Sequence, residues 1–324
     1  MNKELLLEVK NLTVSFESNE RDVEITDRVS FRIFSGEIFG LVGESGCGKT
    51  VTALALLRLL PQPGGKILSG NVFLKGKDIL SRSADEIRNI RGGDISMIFQ
   101  EPSAALNPLL RVERQLMECF DYHDFEGNRE KRVRELLNRV GFPDPERILA
   151  SYPHEISGGM LQRVMIAMAL IMKPDLIIAD EPTTALDVTV QAQIMELLVE
   201  MQKEMGTSIL LITHNLGLIA QYAGRLAVMY AGRIIEESDI HAFLNHPLHP
   251  YTKGLLAALP KPDVEQSSLV PIPGQVPQPA DYEPGCRFRE RCPRAFEPCG
   301  RKPELLEADE NRRVACHLYD GEIP

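Results

Sequence analysis

The stretch Gly43-Glu44-Ser45-Gly46-Cys47-Gly48-Lys49-Thr50 fits the pattern G-x4-G-K-[ST]. In such a run the glycines let successive backbone N–H groups curl around phosphate oxygens. The lysine adds a point charge at the β- and γ-phosphates, and the threonine hydroxyl can ligate Mg2+. Thr50 and Val51 open a Leu/Ala-rich stretch expected to be helical, so the positive end of a helix dipole faces the same anion. A second set of residues suits the chemistry of that anion. Leu176, Ile177, Ile178 and Ala179 read as a buried strand with Asp180 and Glu181 at its C-terminal end, the edge at which open α/β sheets bind ligands. There Asp180 is placed to hold Mg2+ through water, and Glu181 to orient or deprotonate an attacking water. Ser157-Gly158-Gly159, 23 residues before Asp180, opens another helix and offers a second cluster of backbone N–H groups to an anion.

The elements that must position these residues alternate. Strands are expected at 5–16, 29–34, 38–42, 71–76, 94–99, 176–179, 208–213 and 226–230, with a polar turn around 18–22. Helices are expected at 50–60, 112–122, 129–140, 161–172 and 189–205, and the stretch 101–157 contains no strand signal. This order implies a mostly parallel α/β sheet with crossover helices and a helical insertion. After about residue 259 prolines crowd the chain, from Pro260 and Pro262 to Pro284, and periodicity fails. That reads as a loop-rich, strand-poor appended module.

Composition bounds the rest. The 324 residues carry 36 basic and 46 acidic side chains, a net charge of −10. That balance disfavours a protein that coats nucleic acid or anionic lipid over a broad face. No run approaches the ~18 apolar residues of a membrane span, and the N-terminal segment, with Glu4 and Glu8, does not read as a signal peptide. A cytosolic chain is expected, with any membrane span supplied by other subunits.

Taken together, the glycine loop, the acidic strand end and the Ser157-Gly158-Gly159 signature resemble the ATP-binding cassette (ABC) ATPases. Further residues match in order: Gln100 at the end of the strand MIFQ as the Q-loop glutamine, Ala185-Leu186-Asp187 as the D-loop, and His214 after the strand ILLIT as the switch histidine. Phe16 would stack on adenine in the manner of the family's A-loop aromatic; the alternative is a core strand residue. The resemblance implies an α/β P-loop ABC ATPase fold, a mixed sheet with antiparallel β and helical subdomains. It implies a cassette over 1–259, with a helical subdomain at about 101–160, and a Pro/Cys-rich module over 260–324. It also implies a two-chain mechanism: ATP and Mg2+, held by Lys49, Thr50, Gln100 and Asp180, are covered by the signature motif of a second ATPase subunit. Catalysis would fall to Glu181, His214, Lys49 and Gln100. Met160 stands where the superfamily usually has Gln. The stretches 246–256, 272–274 and 285–293, with Tyr152-Pro153-His154, are similar to the dipeptide/oligopeptide/nickel permease branch and fit best its D-type ATPase subunits. That branch implies an importer on the cytoplasmic face of a prokaryotic membrane. Its partners would be a related second ATPase chain, two permease subunits and, indirectly, an extracytoplasmic binding protein. Peptides are the expected cargo. A nickel or glutathione-type importer, and a soluble non-transport ATPase of the same superfamily, are the alternatives.

Four of the six cysteines, Cys286, Cys292, Cys299 and Cys316, fall in the tail, separated by 5, 6 and 16 residues. Four thiolates can hold a [4Fe–4S] cluster or a structural Zn2+, and the spacing alone does not choose. The permease resemblance implies the cluster. His317 is an alternative ligand, and Cys47 and Cys119 read as structural. Arg287, Arg289, Arg291 and Arg294 form a basic run, read as a solvated face rather than a nucleic-acid site.

Overall fold

The computed structural model describes residues 4–18, 21–184, 186–259, 271–309 and 312–320. Ala185 of the expected D-loop, the expected boundary at 260 with Pro260 and Pro262, and part of the 18–22 turn lie outside them. The strands are β1 (Leu5–Ser18), β2 (Arg21–Phe34), β3 (Ile38–Val42), β4 (Gly65–Leu74), β5 (Lys77–Asp78) and β6 (Ile95–Ile98). They continue with β7 (Leu176–Asp180), β8 (Ser208–Thr213), β9 (Arg225–Tyr230), β10 (Arg233–Asp239), β11 (Leu306–Asp309) and β12 (Arg312–Val314). The chain divides into two compact units.

The first unit comprises Met1–Leu6, Ile33–Ile38 and Asp78–Ile212. Its strands β6, β7 and β8 pair in parallel, with Ile95 opposite Leu176 and Leu176 opposite Ser208. Every residue of β7 is buried, as expected for a parallel strand covered on both faces. Between β6 and β7 the chain forms only helices, among them Val112–Glu118, Arg129–Arg139 and Gly158–Leu170. The strand-free insertion is therefore real. Several helices lie outside the sequence expectations, among them Ala84–Gly93, although Ser83 and Glu86 form a capping box at its start and that S-x-x-E spacing is a helix-start signal.

The second unit comprises Leu7–Arg32, Phe39–Lys77 and Thr213–Pro324. β3 and β9 run parallel, Leu41 opposite Ala227. β9, β10, β12 and β11 then continue antiparallel. A second, antiparallel layer pairs β1 with β4. The sheet of this unit is thus mixed, as the family resemblance implies, and not mostly parallel. The tail corrects another expectation. It is not a strand-poor appendage, because β12 pairs with β10 through Glu236–Val314 and Glu237–Arg313, and β11 adds outside it. These strands are three or four residues long and half exposed, so their own hydrophobic pattern is too short to read.

Buried charge welds the tail to this unit. Asp27 accepts from Lys302 Nζ at 2.6 Å and from Arg233 Nε at 2.9 Å, with Arg287 Nη2 at 3.5 Å. Burial alone would raise the Asp27 carboxyl, but Lys302 and Arg233 hold it below the usual carboxylate range. Glu237 is shared by Arg225 and Arg313. Arg287 and Arg291 are buried, with side chains only 6% and 7% exposed, so half of the basic run faces inward rather than to solvent.

The helix Pro250–Ala257 begins with His249, whose Nδ1 accepts the Tyr251 N–H at 3.0 Å, and Glu236 accepts the N–H groups of Leu248 and His249 at 2.9 and 2.8 Å. Full burial, with a smaller push from Lys253, drives the His249 imidazole down to about 3. The folded state therefore holds a neutral ring where the unfolded chain binds a proton below its ordinary value of about 6.5. Stability from this group is complete above that value and is lost as pH falls toward 3. Between pH 7 and pH 5 the loss is expected to be about 2 kcal/mol. His249→Asn keeps an acceptor without the titration and should flatten the pH dependence of unfolding over that range. An unchanged slope would remove His249 as its source.

Candidate functional site

Within the second unit, β3 delivers the chain to the glycine loop and the helix Lys49–Leu56 leaves it, as the motif requires. Two glycines there are obligatory. A Cβ on Gly43 would lie 2.1 Å from the Met229 carbonyl oxygen, and Gly48 caps the helix at φ +104°, in the left-handed region. Lys49 is buried, and its Nζ donates to the carbonyls of Gly43 at 2.8 Å and Glu44 at 3.0 Å. The ammonium is thus held folded over the loop it would share with phosphate. Ser45, Gly46 and Thr50 are exposed, whereas Cys47 is fully buried and burial pushes its thiol up, so it is structural as expected. Val51 is half-buried. Phe16, on β1 opposite Gly65, is half-buried; a Cβ on Gly65 would come within 3.2 Å of its ring. His214 is exposed directly after β8, and Asn215 caps the next helix by accepting the Gly217 N–H at 2.9 Å.

The first unit carries the remaining candidates. Asp180 ends β7 and is 2% exposed. Glu181 follows at φ +46°, a left-handed conformation that is uncommon for a non-glycine residue and costs of order 1 kcal/mol. Its N–H donates to Ile212 O at 2.9 Å, and its Oε2 accepts from Thr184 Oγ1 at 2.8 Å and, at the limit of 3.5 Å, from Gln100 Nε2. The residues named separately as Q-loop glutamine and general base therefore meet on one carboxylate oxygen. Thr184 was not among the sequence candidates; its only signal is its place three residues beyond Glu181.

The signature residues occupy an exposed helix start. Ser157 caps Gly158–Leu170 by accepting the Met160 N–H at 3.4 Å. No atom lies within 4 Å of a Cβ built on Gly158, while one on Gly159 would meet Val190 at 3.1 Å. Asp187 is the N-cap of the helix Val188–Met205, accepting from Thr189 N–H at 3.1 Å and Val190 N–H at 3.0 Å. A capping role alone accounts for an aspartate at that position.

In the tail, Cys286 N–H donates to Cys299 O at 3.0 Å. Only glycine fits at 285, where a Cβ would stand 2.7 Å from that same oxygen. All four tail cysteines are free thiols. Burial pushes the Cys316 thiol up to about 11, and the other three cysteines add to the rise. Neither the expected iron–sulfur cluster nor zinc is supported here: among the described residues no group of three or more His, Cys, Asp or Glu side chains could hold a metal ion. His317 is spent elsewhere, with Nδ1 2.5 Å from Asp320 Oδ2 and Nε2 2.9 Å from Arg301 O. Cys119 lies in the helical insertion with its thiol against Gln115 O, and burial raises it to about 11. Among the described residues no helix is long and apolar enough to cross a membrane.

Comparison with known proteins bears on these arrangements. A family model described as "ABC transporter" matches residues 26–184, and one described as "Oligopeptide/dipeptide transporter, C-terminal region" matches 235–299. The chain is 47% identical to the oligopeptide transport ATP-binding protein AppD of Bacillus subtilis, over 98% of each chain. It is 44% identical to the dipeptide transport ATP-binding protein DppD of Escherichia coli K12, over 96% of each. Among solved structures, the dimeric ATP-binding cassette MJ0796 in a post-hydrolysis state with ADP and Pi superposes with a TM-score of 0.64 at 28% identity. That likeness covers 72% of this chain and 99% of the other. CbiO1 of Clostridium perfringens, part of the ABC transporter complex cbiONQ, also gives 0.64, over 76% of this chain and 93% of its own.

Proposed function

Because the chain belongs to the ABC transporter family, among its peptide-transport ATP-binding proteins, we propose that it is the ATP-hydrolysing subunit that energises uptake of peptides across a cell membrane. The observation that carries the reading is whole-length similarity to peptide-transport ATP-binding proteins in a chain that keeps the buried lysine, the carboxylate pair and the exposed signature helix described above. ATP is the substrate. Lys49 and the N–H groups of 43–50 bind its phosphates, Phe16 stacks on the base, and Thr50, Gln100 and Asp180 are the residues that would hold Mg2+. Glu181 aligns and deprotonates the attacking water, while Lys49 and His214 stabilise charge on the transferring phosphoryl group. Ser157, Gly158 and Gly159 act on the nucleotide of a second ATPase subunit, which fits their exposure. Asp187 fixes the helix behind them.

The remaining partners follow from that role: two permease subunits that supply the membrane span, with this chain at their cytoplasmic face. The test is reconstitution of the chain with its permease and ATPase partners in vesicles. ATP-dependent accumulation of a labelled peptide is expected. ATP hydrolysis without any association with membrane subunits would instead favour a soluble ATPase of the same superfamily, and accumulation of nickel chelate or glutathione but not peptide would reassign the cargo.

For the tail thiols we propose a [4Fe–4S] cluster, as the permease resemblance implies; a four-thiolate cluster is anionic. Cys286 lines a cavity of about 240 Å³ together with five cations, Arg28, Arg233, Arg287, Lys302 and Arg313, against the two carboxylates of Asp27 and Glu304. Cys286, Cys292, Cys299 and Cys316 would hold the group, which would cross-link three separate tail segments. Anaerobically purified protein is expected to contain iron and acid-labile sulfide, and Cys316→Ser to lower both. Protein free of iron under those conditions would rule the cluster out.

A further inference from the structure

Three C-terminal stretches that ATP chemistry leaves without a role converge on one residue of the phosphate loop, Glu44. From 246–256 comes Tyr251, whose hydroxyl oxygen accepts the Glu44 N–H at 3.2 Å. From 285–293 comes Arg291. Its Nη1 donates to both carboxylate oxygens of Glu44, at 3.2 and 3.3 Å, and its Nη2 to Oε2 at 3.4 Å. From 272–274 comes the Pro273 carbonyl, which accepts Arg291 Nε at 2.8 Å and so orients the guanidinium. Gly274, at φ +75°, keeps its backbone close along the arginine stem. The site is built rather than incidental. Arg291 is buried against Tyr230, whose hydroxyl accepts from Nη1 at 3.3 Å, and Tyr230, Tyr251 and Phe288 pack tilted or edge-on with ring centroids 4.7 to 5.4 Å apart.

Glu44 is a sensitive point at which to hold the loop. Its own carbonyl, and that of Gly43 before it, both accept from Lys49 Nζ. Rotation of the peptide at 44 would therefore move the lysine and the N–H groups beyond it together. A forked pair with a buried guanidinium resists such rotation, because breaking it strands a desolvated charge. We propose that Arg291 and Tyr251 are positioning residues for ATP: by fixing the side chain and N–H of Glu44 they hold the phosphate loop in its binding geometry. The C-terminal region is thereby part of the nucleotide site's support, in addition to whatever the cysteines bind.

The inference rests on the ATP reading above, and one titration separates the two. Full-length chain is titrated with a fluorescent ATP analogue, and its ATP KM and kcat are measured. Wild type is expected to bind. Arg291→Gln should weaken binding about tenfold, raising KM with kcat changed less than about twofold, because the loop is loosened while the chemistry is intact. Glu44→Gln should weaken it similarly, and the double variant no further than Arg291→Gln alone. Arg291→Lys should recover part of the loss, and Tyr251→Phe should cost about threefold. Wild-type affinity in Arg291→Gln would overturn the inference alone, as would effects of Arg291→Gln and Glu44→Gln that add and track a fall in Tm, the mark of a merely structural contact. Failure of wild type to bind nucleotide would overturn the ATP reading itself, and this inference with it.

Discussion

Glu181→Gln is expected to lower the chain's ATP turnover by at least about 100-fold while leaving nucleotide binding intact. General-base catalysis contributes roughly 10²- to 10⁴-fold, and a hundredfold loss corresponds to about 2.7 kcal/mol of barrier. The substitution is close to isosteric. The amide oxygen can still accept from Thr184 Oγ1, and the N–H of residue 181 still donates to Ile212 O. The side chain therefore keeps its place and loses its basicity. Hydrolysis stalls after ATP has closed the subunit pair, so ATP-bound dimers should accumulate on size-exclusion chromatography. Steady-state turnover equal to wild type would remove Glu181 from its role. The left-handed backbone at Glu181 sharpens the expectation: a β-branched residue there would add strain to the loss of the carboxylate.

Lys49→Met is expected to do the opposite, striking binding first. A hydrogen bond to a charged group is worth about 1.5–3 kcal/mol, so losing the ammonium should weaken ATP by roughly 10- to 150-fold. Because phosphoryl charge grows in the transition state, kcat should fall by about 10² or more besides. Methionine preserves the length of the buried stem. What it deletes is the donor that Gly43 O and Glu44 O share at 2.8 and 3.0 Å, so a modest fall in Tm should accompany the functional loss. ATP affinity within twofold of wild type would show that the loop binds phosphate through its backbone alone.

These two expectations were legible before any coordinates. Gly43, Gly48, Lys49 and Glu181 sit at spacings that few other functions require, and the runs they belong to follow β3 and β7, whose apolar character is unmistakable. Other features were not legible, for identifiable reasons. β11 and β12 are too short and too exposed for an alternating pattern to show, and they exist because β10 offers an edge to pair with. The arginine run at 287–294 reads as a solvated face because partners such as Asp27 and Glu44 lie some 250 residues away in the chain. The helix Pro250–Ala257 hides behind its unusual cap, a histidine that only burial makes a permanent acceptor. The helix Ala84–Gly93, by contrast, carries a legible start signal in Ser83 and Glu86.

The sequence by itself determined the chemistry and the family. Phosphate binding, water activation and helix-start anion recognition depend on short runs whose residues act within a few positions of one another, so local spacing specifies them. The tertiary structure alone decided that the proline- and cysteine-bearing tail is no appendage. It joins β10, buries two arginines, and presses Arg291 onto Glu44, the residue beside Gly43. Those contacts arise from pairing and desolvation between segments distant in the chain, and no local pattern of residue types encodes which segments will meet.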